Sequence, residues 1–293
     1  MAVGRIIKAL SGFYYVQSNE GVYACRGRGV FRNKKITPLV GDFVEFEVRN
    51  EVEGYIMKVR DRSNELIRPP IANIDQVGIV SAATSPDFNP LLLDRFLVLV
   101  ESKHIQPLIL ITKMDLIAQA EIDRIKEYQT AYQEIGYEVK LLSSKEPEWI
   151  SEVMPYFKDK VTVFAGQSGV GKSSLLNTLD PNLYLETAEI SKSLGRGKHT
   201  TRHVELLAIG EGLVADTPGF SALEFSDLEP EDLGPCFPEI RLHMPDCKFR
   251  GCLHDKEPKC AVKAAVSDGA IADFRYDHYL RFLEEIKTRK PRY

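Results

Sequence analysis

The chain has 293 residues, 44% of them hydrophobic and 27% charged, with a formal net charge of −4. This composition excludes a disordered or collagen-like chain and leaves room for two or three globular domains. The most apolar window, residues 91–100, is interrupted by Asp94 and Arg95, and the N-terminus lacks the apolar core of a signal peptide, so a cytoplasmic protein without a membrane partner is expected.

Residues 1–68 form a basic segment, with 12 Lys/Arg against 8 Asp/Glu, while the remainder carries 26 against 34. Residue patterning predicts short strands at 4–10, 13–17, 22–25, 42–48 and 55–59, with glycine-rich turns between them. A small β-barrel of the OB-fold type fits. Arg26, Arg28, Arg32, Lys34 and Lys35 make an acid-free run around Phe31, with Tyr14, Tyr15 and Tyr23 nearby. A basic groove with aromatic platforms is how OB-folds hold single-stranded nucleic acid, and the competing reading is a solvated charged loop beside core tyrosines. Arg68-Pro69-Pro70-Ile71 reads as a linker, because consecutive prolines disfavour hydrogen-bonded structure.

Beyond it the pattern alternates: a strand at 74–81, a helix at 90–102, a strand at 107–112, an amphipathic helix at 117–135 and a strand at 137–142. Alternation of this kind implies an α/β domain with a mostly parallel sheet and ligand loops at the strands' carboxyl ends. The strand at 137–142 is followed by Ser143-Ser144-Lys145, and the strand at 107–112 runs into Thr112-Lys113-Met114-Asp115. The latter matches the guanine-recognition pattern [NT]-K-x-D. Asp115 would accept from guanine's ring N–H and exocyclic amino group, donors that adenine does not present there. Lys113 would pack over the base, and the Ser143 to Lys145 segment would offer a backbone N–H to the guanine carbonyl. Taken singly, T-K-x-D also fits a solvated turn. Thr112 stands where Asn is commoner, and a hydroxyl makes fewer bonds than an amide.

An apolar strand at 161–165 leads into Gly166-Gln167-Ser168-Gly169-Val170-Gly171-Lys172-Ser173, a G-x-x-x-x-G-K-[ST] phosphate loop, and Ser174 continues into a helix. Backbone N–H groups of such a loop cradle phosphates, Lys172 contacts the outer phosphates and Ser173 ligates magnesium. Downstream, residues 195–201 supply His199, Thr200 and Thr201 as a switch segment, and Asp216-Thr217-Pro218-Gly219 supplies D-x-x-G. Asp216 would hold magnesium through water, and the Gly219 N–H would meet the γ-phosphate. Phe220 follows where Ras-type GTPases place a water-orienting Gln, so His199 or a partner's group is expected to position the nucleophile; a solvated loop His is the plainer reading. Because T-K-x-D precedes the phosphate loop instead of following it, the order indicates a circularly permuted GTPase.

Cys247, Cys252, His254 and Cys260 fall among loop-forming Pro245, Gly251 and Pro258. A Cys₃His set suits one structural, tetrahedral zinc ion, with buried unligated cysteines as the alternative. Cys25 and Cys236 lie outside the cluster, and five cysteines, an odd number, argue against a complete disulfide framework. Apolar spacing over 268–290 predicts a helix docked by one face. Three domains are expected: an RNA-binding barrel at 1–68, the permuted GTPase at 72–225 and a mostly helical zinc-binding region at 226–293.

A basic barrel, the permuted motifs and the C-x₄-C-x-H-x₅-C cluster together resemble the RsgA family, also called YjeQ or YloQ, of ribosome small subunit-dependent GTPases. The resemblance covers the whole chain. It implies a monomeric GTPase that binds GTP, GDP and Mg²⁺, acts late in assembly of the small (30S) ribosomal subunit, contacts its rRNA, and is stimulated by it. The family often has a third Thr where this chain has Arg202, so the resemblance leaves the magnesium-binding switch residue open between Thr200 and Thr201. Two other readings are a GTP-dependent switch for a non-ribosomal partner and a nucleic-acid-binding protein with a merely structural nucleotide site. The permutation joins the D-x-x-G directly to the C-terminal region, so γ-phosphate contacts at Thr201 and Gly219 are expected to fix that region for subunit binding.

Overall fold

The computed structural model describes residues 1–27, 31, 36–50, 52–145, 148–180, 204–220 and 223–289, with 216–220 described as backbone alone. Two compact units divide the chain: residues 1–80 with 146–221, and residues 81–145 with 222–293.

The first unit begins with five strands, β1 (Ala2–Leu10), β2 (Phe13–Ser18), β3 (Gly21–Gly27), β4 (Phe43–Val48) and β5 (Glu53–Val59). They close on themselves: β1 pairs β2, β2 pairs β3, β5 pairs β4 and β4 pairs β1, all antiparallel, while β3 pairs β5 in parallel. Alternation puts Ile6, Val16, Tyr23, Cys25, Val44, Phe46 and Ile56 inside this barrel. Gly54 is required where β5 passes close to its neighbours, since a Cβ there would lie 2.7 Å from the Glu47 carbonyl oxygen.

The expected linker at 68–71 is built differently. β6 (Glu65–Leu66) and β7 (Ile71–Ala72) pair antiparallel, with Pro69 and Pro70 in the turn between them and Ile71 fully buried. Prolines have no N–H to give a ladder, so they occupy the turn of the hairpin instead of interrupting it. Buried Asp42 ties this region down, accepting from Arg62 Nε and Nη2 at 2.7 and 2.8 Å and from the Leu39 N–H at 2.7 Å.

The same unit continues with residues 76–80 of β8 (Gln76–Ala82) and with β11 (Val161–Ala165), β12 (Glu205–Ile209) and β13 (Gly212–Phe220). β11 lies between β8 and β13, parallel to both, and β12 runs antiparallel to β13 and reaches β1 at Lys8 and Glu205. Every residue of β11 is buried, as the continuous apolar run of a central parallel strand requires. Thr162 is the polar exception, and its hydroxyl accepts from Gln76 Nε2 at 3.0 Å.

In the second unit α1 (Pro90–Glu101) starts at Asn89, whose side chain accepts from the Leu92 N–H at 3.0 Å. Parallel strands β9 (Gln106–Thr112) and β10 (Glu138–Leu141) flank α2 (Gln119–Ile135), which Gly136 ends at φ 103°. The chain returns to this unit with short helices α5 (Pro230–Leu233) and α6 (Pro238–His243), then α7 (Ala261–Ser267) and α8 (Asp273–Thr288); α3 (Trp149–Val153) and α4 (Lys172–Leu179) belong to the first unit. The helix expected over 268–290 is α8, docked by the face that carries Tyr279, Phe282, Leu283 and Ile286; it begins at Asp273, and Gly269 at φ 75° separates it from α7. Val98 of α1 shares one apolar core with Phe225, Leu233, Phe237, Ile240, Tyr279 and Phe282, so the C-terminal region packs as one body with α1.

Candidate nucleotide site and metal centre

Buried β11 delivers the chain to Gly166, where φ is 138° and a Cβ would sit 2.2 Å from the Val80 carbonyl oxygen. Gly169 and Gly171 also take positive φ, 86° and 95°, and Gly171 opens α4. Only glycine meets these demands, which is why the loop curls tightly above the helix N-terminus. Val170 is buried beneath the loop, while Gln167, Ser168 and Ser174 are exposed and Ser173 is half-buried at the first turn. Lys172 Nζ donates to the carbonyls of Gly166 and Gln167 at 2.8 and 2.7 Å, holding its ammonium against the first two residues of the loop. Burial lowers its pKa from the ordinary ammonium value.

β13 brings D-x-x-G alongside. Ala215 stands opposite Val163 and Phe220 opposite Ala165, so Asp216 to Gly219 span the register shift at the carboxyl end of β11, next to Gly166. His199, Thr200 and Thr201 lie outside the described residues, as do Arg28, Arg32, Lys34 and Lys35 of the basic run.

In the second unit, Thr112 ends β9, with its hydroxyl donating to the Ser81 carbonyl at 3.2 Å and its own carbonyl accepting from the Ala83 N–H at 2.9 Å. Lys113 adopts φ 62° and its Nζ donates to the Ser85 carbonyl. The Met114 N–H donates to the Leu142 carbonyl at 3.2 Å, joining T-K-x-D to the Ser143 to Lys145 loop. Asp115 Oδ1 accepts from the Ser144 N–H at 3.1 Å and Oδ2 from the Ser144 hydroxyl at 2.9 Å, while Ser143 Oγ accepts from the Lys145 N–H at 3.2 Å. Desolvation raises the Asp115 pKa, but the Ser144 bonds and the Lys145 charge outweigh it and hold the carboxyl below its ordinary value. Asp115 is therefore an ionised acceptor.

Cys247, Cys252, His254 and Cys260 converge, with all four ligand atoms within 4.8 Å of one another. Tetrahedral zinc at about 2.3 Å from sulfur and about 2.0 Å from nitrogen requires sulfur–sulfur edges of about 3.8 Å and sulfur–nitrogen edges of about 3.5 Å. The Cys247–Cys260 sulfurs are 3.8 Å apart, and His254 Nδ1 lies 3.5 Å from Cys247 Sγ and 3.4 Å from Cys260 Sγ. These residues fit the ion. Burial lowers the His254 pKa, which favours the neutral ligand form. The loop is held from outside the cluster: Glu257 accepts from the Leu253 and Asp255 N–H groups, and Tyr279 and Tyr276 donate to the carbonyls of Leu253 and His254 at 2.8 and 2.6 Å.

Of the predicted RNA contacts, exposed Arg26 stacks its guanidinium 4.6 Å from the Phe13 ring centroid. Tyr23 is a core residue packed on Phe46. The barrel also presents Arg5 over Phe43 and Arg49 over Tyr55, at 4.3 and 5.8 Å, which sequence reasoning missed although each aromatic sits at an outward strand position. A second omission is a buried ionic group in the second unit. Arg275 donates to Asp94 at 2.5 Å and to both oxygens of Glu239 at 2.6 and 3.3 Å, while Asp94 also meets His278 Nδ1 at 2.5 Å and the Tyr132 hydroxyl at 2.6 Å. The signal was Asp94 itself, a charge inside an apolar helix, which reads as an interruption until its partners some 180 residues away are known.

Family models for the RsgA GTPase and the RsgA N-terminal domain match residues 59–226 and 3–56. The chain belongs to the RsgA GTPase family. It is 70% identical to the small ribosomal subunit biogenesis GTPase RsgA 2 of Oceanobacillus iheyensis and 60% identical to RsgA of Bacillus subtilis, with 100% of each chain covered in both cases. Among solved structures it is similar to YloQ, described as a circularly permuted GTPase, at 55% identity and TM-score 0.86, covering 100% of this chain and 97% of that one. YjeQ from Thermotoga maritima gives 36% identity and TM-score 0.88 over 99% of both chains. The RsgA-family chain is thus a GTP-hydrolysing enzyme with an N-terminal OB-fold barrel, a permuted P-loop GTPase domain and a C-terminal Cys₃His region. Among the described residues no helix is long and apolar enough to cross a membrane.

Proposed function

We propose that this chain hydrolyses GTP in the cytoplasm as a monomer while bound to the small ribosomal subunit and its rRNA, and that it assists that subunit's late assembly. The observation that carries the proposal is the full-length match to relatives named small ribosomal subunit biogenesis GTPases, together with the permuted order of motifs. Residues 1–68 would serve as the RNA-binding barrel, 72–225 as the GTPase and 226–293 as the zinc-binding region.

In this reading Gly166 to Ser174 cradle the phosphates through backbone N–H groups, and Lys172 moves its ammonium from the loop carbonyls to the β- and γ-phosphates. Asp115 fixes guanine, with Thr112, Lys113 and the Ser143 to Lys145 loop shaping its surroundings. Ser173, Asp216 and Thr200 or Thr201 would hold magnesium, which when bound neutralises charge on the phosphates. The Gly219 N–H meets the γ-phosphate, and Thr201 and Gly219 couple its presence to the C-terminal region that follows. Cys247, Cys252, His254 and Cys260 would hold zinc, which supplies folding free energy to a loop-rich segment. Arg26, Arg28, Arg32, Lys34 and Lys35 would meet rRNA phosphates. Phe220 has no polar atom to orient water, so turnover awaits either His199, placed by the subunit, or a group of the subunit itself.

Co-sedimentation tests the partner. The chain with a non-hydrolysable GTP analogue should travel with purified small subunits and dissociate in excess GDP. Equal sedimentation with both nucleotides, or none with either, would contradict the proposal.

A further inference from the structure

We propose that Ser144 is a stand-in for guanine on Asp115, which the base displaces, and that the Ser144 hydroxyl governs how strongly this chain separates guanine from hypoxanthine. The inference rests on Asp115 as the base-recognising carboxylate.

Ser144 presents two donors to Asp115, its N–H to Oδ1 at 3.1 Å and its hydroxyl to Oδ2 at 2.9 Å. Guanine presents the same number, the ring N1–H and the exocyclic amino group, one for each carboxylate oxygen. The carboxylate is thus held ionised by a protein group with guanine's donor count, and the base gains only the difference between its bonds and those of Ser144. Release of Ser144 is cheap. It is exposed and buries no apolar surface, and it lies two residues past Leu142, whose carbonyl anchors the loop through the Met114 N–H. Once released, its N–H is free to meet the guanine carbonyl, the role assigned to this segment.

Hypoxanthine differs from guanine by the missing amino group. It leaves one Asp115 oxygen without a donor, and an unpaired acceptor facing a ligand is what normally makes such sites selective. In this chain the Ser144 hydroxyl can remain on Oδ2 and fill that place. Removing the hydroxyl therefore acts in opposite directions, taking away a competitor of guanine and a substitute for the amino group that hypoxanthine lacks.

The test is calorimetric affinity for GDP, IDP and xanthosine diphosphate with the full chain as wild type, Ser144→Ala, Ser144→Thr and Asp115→Asn. The GDP-over-IDP ratio should widen roughly three- to tenfold in Ser144→Ala, the effect of one ordinary net hydrogen bond at a solvent-accessible site. Ser144→Thr, which keeps the hydroxyl, should stay near the wild-type ratio. An unchanged or narrowed ratio in Ser144→Ala overturns the proposal, because a residue that merely braces Asp115 would weaken both nucleotides alike. If Asp115→Asn shifts preference from guanine to xanthine while Ser144→Ala leaves the ratio unchanged, only the Ser144 role fails. If Asp115→Asn keeps its guanine preference, the base-recognition reading fails with it.

Discussion

Arg275→Met should be among the most destabilising single changes in the second unit. The Arg275 and Asp94 side chains are fully buried and that of Glu239 is 7% exposed, so the substitution strands two carboxylates in apolar surroundings. Breaking a buried pair from one side costs about 3–5 kcal/mol. Asp94 keeps the Tyr132 hydroxyl and His278, whereas Glu239 loses both bonds to Arg275, so the cost should fall near the lower end. At roughly 2–4 °C per kcal/mol for a domain of this size, about 3 kcal/mol lowers the unit's melting temperature by about 6–12 °C. Scanning calorimetry measures this, and hydrogen exchange along Asp273–Thr288 locates it. Replacing Asp94, Glu239 and Arg275 together by apolar residues of similar volume should recover most of the loss, because the desolvation cost disappears with the charges. A shift below about 2 °C for Arg275→Met, or a triple variant less stable than the single, would refute the reasoning.

Asp115→Asn should weaken GTP binding and favour xanthosine triphosphate, since an Asn amide donates to the carbonyl that replaces guanine's amino group; nucleotide competition checks this. Lys172→Ala or Ser173→Ala should remove most GTP hydrolysis while the melting temperature barely moves, and near-normal turnover in both would mean the phosphate loop is misread. Cys252→Ser or His254→Ala should lower zinc content and loosen the C-terminal region, and metal analysis of wild-type protein should find close to one zinc per chain. His199→Ala should spare GTP binding and remove most of the subunit-stimulated rate in single-turnover hydrolysis, whereas full stimulation would assign water positioning to the subunit.

Sequence carried the sites whose chemistry is local. Three glycines of the phosphate loop need positive φ, and T-K-x-D needs a strand end, so both are written in contiguous residues. The Cys₃His cluster was legible for the same reason, its four ligands lying in one loop-rich segment. What sequence hid depends on residues far apart. Asp94 meets Arg275 and His278 only through the tertiary fold, and Val98 of α1 joins the C-terminal core by packing that no periodicity announces. The proline pair at 69–70 reads as a break because composition cannot separate a linker from the four-residue turn between two short paired strands. Ser144 gave only a loose motif match, and its hold on Asp115 emerged from geometry.

The measurement closest to the central claim is the rate of GTP hydrolysis by the full chain with and without purified small ribosomal subunits. The account predicts slow turnover alone and stimulation by orders of magnitude at saturating subunits, as trans-acting partners provide for other GTPases. An equal rate with and without subunits, in protein that binds GTP normally, would contradict it.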